Sequence, residues 1–309
     1  MTDRNRQRDY LLRTFSMRKN SPQKAAFRRW LLEELQNSGW TAAEERYGGL
    51  NPSVNVVAGN ADAAQVVVVA HYDTTAKRLL PCIIFPVNRL MQMIFRFSIS
   101  VLTLVISYLF AFGVGYFSHR QGLILPVFLL LATVLLFFED FGPANRQNAN
   151  GNSSGVLTLL ELLRQQTPRD SVCFVFLDNG AKDALGAEGY RKRYGKKQLV
   201  INLDCVGDGE QVIVMPSPRC KTEDHLLRSL QKAFSPSDGM QVHLMKDGHL
   251  RYRSDHVGFP RHVAICTCRK TKLLGYYIPN LHSSLDRELS DRNVSYMVKT
   301  LSRFLNTYR

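Results

Sequence analysis

Val66-Val67-Val68-Val69-Ala70-His71-Tyr72-Asp73-Thr74-Thr75 is the stretch on which the fold turns. Four consecutive valines fit a strand buried on both faces, as in the middle of a parallel sheet. The apolar run stops at His71 and Asp73, and the ends of parallel strands are where ligands and catalytic groups collect. Residues two apart on a strand point to the same side. His71 and Asp73 can therefore act as a pair, with one imidazole nitrogen free for a metal and the other held by the carboxylate.

Upstream of this run, Ser21-Pro22 predicts a helix start, a capping hydroxyl followed by proline in the first turn. Ala26, Trp30, Leu31 and Leu35 recur at helical spacing, and Gly39 ends the run. Short strands are expected at Glu44–Tyr47 and Val54–Val57. Ahead of all these, residues 1–20 form a basic arm with Arg4, Arg6, Arg8, Arg13, Arg18 and Lys19. Two readings of the arm stand side by side: a solvated, partly disordered tail, or a segment attracted to anionic lipid.

Downstream, the composition changes abruptly. Residues 97–117 hold no charged side chain and 122–138 hold none either, with Ser118-His119-Arg120-Gln121 between them. Each run suits a membrane-spanning helix, the second with some thinning or tilt of the bilayer. Residues 79–140 are therefore expected to be a membrane hairpin inserted in a soluble domain; the competing reading is a buried core hairpin. Lys77, Arg78, Arg89 and Arg96 precede the spans and Arg146 follows them, against Arg120 in the turn. The positive-inside rule then places the soluble part in the cytoplasm of a two-span membrane protein.

Beyond the hairpin the α/β alternation resumes. Asn152-Ser153-Ser154-Gly155 opens a helix, Val172–Leu177 is a strand ending at Asp178, and Ala184–Tyr194 is a helix. Leu199–Leu203 is a strand ending at Asp204. Val212–Met215, Gln241–Leu244 and His262–Thr267 suit further strands, Glu223–Phe234 a helix, and Val294 to Leu305 a closing helix. One α/β domain with a mainly parallel sheet follows, its first part 21–78 and its second part 141–309.

The 40 Lys and Arg residues against 26 Asp and Glu give a net charge of +14. Such an excess favours an anionic partner. A lipid bilayer fits, whereas no nucleic-acid module is present and aromatics do not interleave with the basic runs. Six scattered cysteines, several in apolar strand-like runs, fit reduced buried thiols. Cys266 and Cys268 alternate along one such strand, without a second Cys or His pair at zinc-finger spacing.

Polar residues end or flank the strands at His71, Asp73, Asp178, Asp204, Asp255-His256 and His282. Histidines and carboxylates converging at strand tips suit zinc. The pieces Ala70-His71-Tyr72-Asp73-Thr74, Asn152-Ser153-Ser154-Gly155-Val156, Val175-Phe176-Leu177-Asp178-Asn179, Ile201-Asn202-Leu203-Asp204, Ser254-Asp255-His256 and Leu281-His282-Ser283-Ser284-Leu285-Asp286 occur in this order. With them the chain resembles the co-catalytic di-zinc aminopeptidases, a family that also contains glutamate carboxypeptidase and the non-enzymatic transferrin receptor. It is similar to a subgroup carrying a membrane hairpin at this place. The resemblance covers about residues 40–309 apart from the hairpin. It implies a three-layer α/β/α zinc-exopeptidase-like fold, zinc as cofactor, and peptide hydrolysis by metal-generated hydroxide with a glutamate base. By resemblance His71 and Asp204 bind one zinc, His282 binds the other, and Asp73 orients His71.

Against that pattern three positions depart. Gly151 stands at the place of the bridging aspartate, Gly180 at that of the general-base glutamate, and Ala181 at that of a glutamate ligand. Glycine and alanine side chains neither bind metal nor take a proton. Two protein ligands remain for one zinc and one for the other, where a catalytic zinc takes three. Asp183 could compensate through a loop shift; Asp178, Asp255 and His256 line the cleft or brace it, and Asp286 fits a turn cap. The expected function is a membrane-anchored peptidase homologue, catalytically impaired, that binds a peptide or protein. The alternatives are an active zinc aminopeptidase with a rearranged site, and a membrane-surface module acting through its basic arm. If the substitutions alone emptied the site, Gly151→Asp with Gly180→Glu and Ala181→Glu is expected to restore metal binding.

Overall fold

A computed structural model describes residues 3–50, 52–80, 82–180, 184–195, 197–245 and 254–308. The chain opens with α1 (Asp3–Thr14) and α2 (Ser21–Asn37). Of the two readings of the arm, the solvated, partly disordered tail is corrected: residues 3–14 form a helix packed on the body. Leu11 is buried, Tyr10 leans on Trp30, and Arg8 pairs with Asp291 at 2.6 Å. The turn after α1 reaches deeper still, because Arg18 is wholly buried. The α2 cap is Asn20 rather than Ser21: its side chain accepts from Gln23 N, and the Gln23 side chain returns the bond in a capping box. Ser21 is the first helical residue and Pro22 sits in the first turn, where its missing N–H is harmless.

Ten strands follow in one sheet. They begin with β1 (Ala42–Tyr47), β2 (Ser53–Ala58), β3 (Val66–His71) and the short β4 (Cys82–Ile84). After the inserted helices α3 (Arg89–Phe117) and α4 (Ile124–Phe141) comes α5 (Ser154–Gln165), entered through a π-turn at Ala149–Ser153. Next come β5 (Val172–Leu177), α6 (Leu185–Tyr194), β6 (Leu199–Leu203), β7 (Gln211–Pro216), α7 (Asp224–Ala233) and β8 (Gln241–Leu244). The chain closes with β9 (His262–Thr271), β10 (Gly275–Leu281) and α8 (Asp291–Thr307). The sheet order is β1-β2-β5-β3-β6-β9-β10-β4, with β7 pairing β9 and β8 beyond it.

The valine strand is central. β3 pairs in parallel with β5 on one side and β6 on the other. Val66, Val68 and Ala70 join the core shared with α2, α5 and α8, while Val67 and Val69 join the opposite core with Ala187 and Tyr190 of α6. Both faces are covered by helices, which is why the run is continuous rather than alternating. The α/β zinc-exopeptidase-like architecture with a mixed sheet is present, but the sheet is not mainly parallel as expected. Among the described residues five strand pairings are antiparallel and four parallel, because β1–β2 and β9–β10 are hairpins and β7 runs against β9. β10 and β4 had no counterpart in the sequence reading, and β9 runs four residues further than expected, to Thr271.

α3 and α4 leave the body together. The side chains of α3 buried in its second half, Thr103, Ser107, Ala111 and Gly115, recur every four residues. A Cβ on Gly115 would stand 2.5 Å from Ile124, so the helices meet closely there. The most apolar windows of the pair are only 11% and 6% buried, unlike a core hairpin. Below them the chain closes in a neck. Lys77 N donates to Pro143 O at 2.8 Å, Asn145 N donates to Thr75 O at 3.1 Å, and Ala76 bridges Ala144.

Candidate functional site

β3 delivers His71 and Asp73 to the same pocket, as residues two apart should be. The His71 Nδ1 stands 3.2 Å from Asp73 Oδ1, and its Nε2 stands 3.7 Å from Asp204 Oδ1 at the end of β6. All three residues are buried. Burial alone would lower the His71 pKa, but the hydrogen bonds it donates to Asp204 and Asp73 outweigh this and raise it well above the ordinary value. The same contacts hold both carboxylates below their usual range although burial opposes this. Asn152 closes the pocket on the α5 side: its amide donates to the Asp73 carbonyl at 2.5 Å and lies 3.1 Å from His71 Nδ1.

Asp255 joins this cluster from the short turn Asp255–Gly258. It is wholly buried, and among the described residues neither carboxylate oxygen has a hydrogen-bond partner. Burial pushes its pKa up to about 7; His71 lowers it and the charges of Asp73 and Asp204 raise it further. Its neighbour His256 instead faces His262, with ring centroids 5.1 Å apart, and burial takes its pKa down to about 4. His282 follows β10 in a left-handed conformation, φ 58°, and its Nδ1 meets Thr75 Oγ1 at 2.9 Å. Burial, then Arg78, takes its pKa down to about 4, so it is neutral at pH 7. Arg78 N also donates to the His282 carbonyl at 2.8 Å, tying this residue to the hairpin neck.

Asp178 does not line the cleft; it braces the end of β5. Lys24 Nζ binds its Oδ1 at 2.6 Å and Val54 N donates to its Oδ2 at 3.0 Å. Both side chains of the ion pair are nearly enclosed, at 11% and 3% exposure. Lys24→Met should therefore leave a buried unpaired carboxylate and lose about 3–5 kcal/mol, read from chemical denaturation. The double variant Lys24→Met/Asp178→Leu should recover much of that loss.

The two described glycines at departing positions are packed tightly. Gly180 N donates to Asp73 Oδ1 at 2.8 Å. A Cβ there would stand 2.5 Å from the Cβ of His71 and 2.7 Å from Asp255 Oδ2. Gly151 lies in the π-turn, and its N–H and that of Asn150 both donate to the buried Asp286 carboxylate, at 3.1 and 2.8 Å. A Cβ on Gly151 would stand 3.0 Å from Asp286 Oδ2. Asp286 is thus the turn cap anticipated from its type, and burial raises its pKa to about 7 against these two donors. Ala181, Lys182 and Asp183 lie outside the described residues, so compensation by Asp183 does not enter the geometry.

Among the described residues zinc finds no complete site: no group of three or more His, Cys, Asp or Glu side chains is arranged to hold a metal ion. His71 and Asp204 face one another, and the space towards position 180 is filled by the His71 side chain and Asp255. Cys266 and Cys268 are buried within β9. Sequence reasoning weighs the Asn152 side chain only as a poor zinc partner, and misses Thr75 and Arg18 as supports of the pocket. Arg18 donates to the Tyr72 carbonyl at 2.5 Å, to Ser153 Oγ at 3.1 Å and to the Phe15 carbonyl, directly beneath the His71–Asp73 strand end.

No curated protein matches the sequence. Among solved structures, the chain is similar to the LapA aminopeptidase of Legionella pneumophila, at a TM-score of 0.60 and 14% identity over 98% of this chain and 68% of that one. It is also similar to a glutaminyl cyclase of Bacteroides thetaiotaomicron bound to N-acetylhistamine, at 0.59 and 15% over 99% and 98%. A leucine aminopeptidase precursor from the same organism gives 0.58 and 15% over 99% and 98%. At such identities the likeness is one of fold. Residues 137–278, which carry Gly151, Gly180, Asp204 and Asp255, match Peptidase family M28, and the frame around them has the α/β fold shared by solved aminopeptidases and glutaminyl cyclases.

Proposed function

We propose that this chain is a membrane-held pseudo-peptidase, a peptidase-like domain that binds a peptide or protein segment rather than hydrolysing it. The observation that carries the reading is at Gly180. The place of the general base is not an empty slot but a backbone contact, against His71 on one side and Asp255 on the other. Gly151 repeats the pattern against Asp286. A hydrolase of this type needs a base and three protein ligands around a catalytic zinc. Here Gly180 and Gly151 are packing and hydrogen-bonding positions instead.

The membrane part of the reading rests on α3 and α4. Both are long and apolar enough to cross a bilayer, and their side chains stand almost entirely outside the body. The basic residues at their foot, Lys77, Arg78, Arg89, Arg96 and Arg146, against Arg120 at the turn, put the domain on the cytoplasmic side.

A second reading, an active zinc metallo-exopeptidase with a rearranged site, is favoured by Asp255. Its unpartnered buried carboxylate, with a pKa near 7, is the kind of group that moves protons. Metal content separates the two. Purified full-length protein is expected to hold far less than stoichiometric zinc by elemental analysis and to leave a panel of aminoacyl amides intact. Stoichiometric zinc together with hydrolysis abolished by Asp255→Asn would replace the first reading with the second.

A further inference from the structure

β9 and β10 project beyond the pocket as a two-stranded finger, and its tip has a composition the proposed binding role does not use. The tip reads Arg269-Lys270-Thr271-Lys272-Leu273-Leu274-Gly275-Tyr276-Tyr277, and no acidic residue occurs from Arg269 to Leu281. Leu273 is 88% exposed. Lys272 is exposed, and Lys270 lies over the Tyr276 ring at 4.9 Å. The turn is a built one, with Leu274 N donating to Thr271 Oγ1 at 3.1 Å.

The register says where this tip sits. β4 pairs antiparallel with β10, Cys82 opposite Leu281 and Ile84 opposite Ile278. Moving along β4 therefore means moving along the finger towards its tip. α3 begins at Arg89, soon after Ile84, and its first turns fold back on the end of β4. Phe85 N donates to Gln92 Oε1 at 2.9 Å, and the Phe85 and Phe95 rings meet at 6.0 Å. The start of the first apolar helix and the fingertip thus share one end of the β10–β4 ladder.

We propose that the fingertip is a second membrane contact, dipping Leu273 into the interface of an anionic bilayer beside the foot of α3. This rests on the reading of α3 and α4 as membrane spans. Leucine between lysines is matched to that depth, the apolar group reaching the acyl boundary and the ammonium groups staying with the phosphates. Tyr276 and Tyr277 fall one step further back, where amphipathic rings settle at headgroup level. The contact pins the rotation of the domain about the hairpin, because two separated points now touch one plane.

The test uses the full chain in a Cys82→Ser background, since the other native cysteines are buried. A polarity-sensitive dye is attached at Leu273→Cys, at Leu104→Cys within α3, and at Ala63→Cys in the exposed turn before β3, at the opposite end of the parallel strands from the fingertip. Each protein is reconstituted in phosphatidylcholine vesicles with and without phosphatidylserine, carrying quenchers at shallow or deep positions. The expected result is a blue-shifted signal at 273 quenched by shallow lipid, deep quenching at 104, and none at 63. Lys270→Ala/Lys272→Ala should cut the shallow quenching at 273 by about half in the anionic vesicles. A water-like signal at 273 with deep quenching at 104 overturns the fingertip contact and leaves the spans standing. Absence of quenching at 104 overturns the spans themselves, and the fingertip contact with them.

Discussion

Gly180→Glu is expected to destabilise the domain by about 3 kcal/mol or more, enough to unfold a protein of ordinary stability when combined with a second defect. The Cβ alone would lie 2.5 Å from His71 Cβ and 2.6 Å from His71 Cγ, at the end of a central strand that cannot yield. A carboxylate carried beyond it would enter a pocket that already holds Asp73, Asp204 and Asp255. Gly151→Asp adds the same fault elsewhere, a buried carboxylate against Asp286. The triple replacement that simple counting of ligands recommends is therefore expected to fail, by misfolding rather than by weak binding. Thermal unfolding of Gly180→Ala and Gly180→Glu in detergent decides this. A Gly180→Glu protein with unchanged Tm and newly bound zinc would show that the loop after β5 can move aside.

Arg18→Ala should be nearly as severe, at about 3 kcal/mol or more. The guanidinium is wholly buried and satisfies the carbonyls of Phe15 and Tyr72 together with Ser153 Oγ. Burial pushes its pKa down to about 10, with Asp73 and Tyr72 opposing, so it remains charged at pH 7. It also lies over the Phe27 ring at 5.2 Å. The backbone is tied reciprocally, Arg18 N to Thr74 Oγ1 at 2.8 Å and Thr74 N to the Arg18 carbonyl at 3.0 Å. Arg18→Lys keeps the charge but not the planar fork, and should recover less than half of the loss. Hydrogen exchange over residues 72–75 and 149–153 should rise in both variants; exchange unchanged there would mean that Arg18 braces only α1.

The parts of the fold legible in the sequence were those set by local pattern. Val66–His71, Val172–Leu177 and Leu199–Leu203 announce themselves by apolar runs that stop at a polar residue. Gln241–Leu244 was found from composition alone. β10 was not, because Tyr276-Tyr277-Ile278-Pro279-Asn280 carries a proline and its pairing comes from β9 and β4, distant in sequence. The arm misled because an arginine-rich segment looks solvated; nothing local distinguishes Arg18, which is buried, from Arg13, which is exposed. At the site, the motif order pointed to His71, Asp73, Asp204 and His282, of which the structure brings the first three into contact, and marked Gly151 and Gly180 as departures. It could not tell that the glycines are contacts rather than gaps, since that depends on where His71, Asp255 and Asp286 come to rest. Nor did the shared motifs separate aminopeptidases from glutaminyl cyclases, whose fold is the same.

The neck beneath α3 and α4 sets how the domain tolerates its insertion. Because Lys77 and Pro143 are bonded to each other, the body is stitched across a gap no wider than an ordinary turn. The entropy of closing the enclosed segment grows only logarithmically, about 0.6 kcal/mol for each doubling of its length. The helical residues from Arg89 to Phe141 could be lengthened, shortened or exchanged for other helices at almost no thermodynamic penalty to β3. Thr75 and Arg78 would go on holding His282 in place.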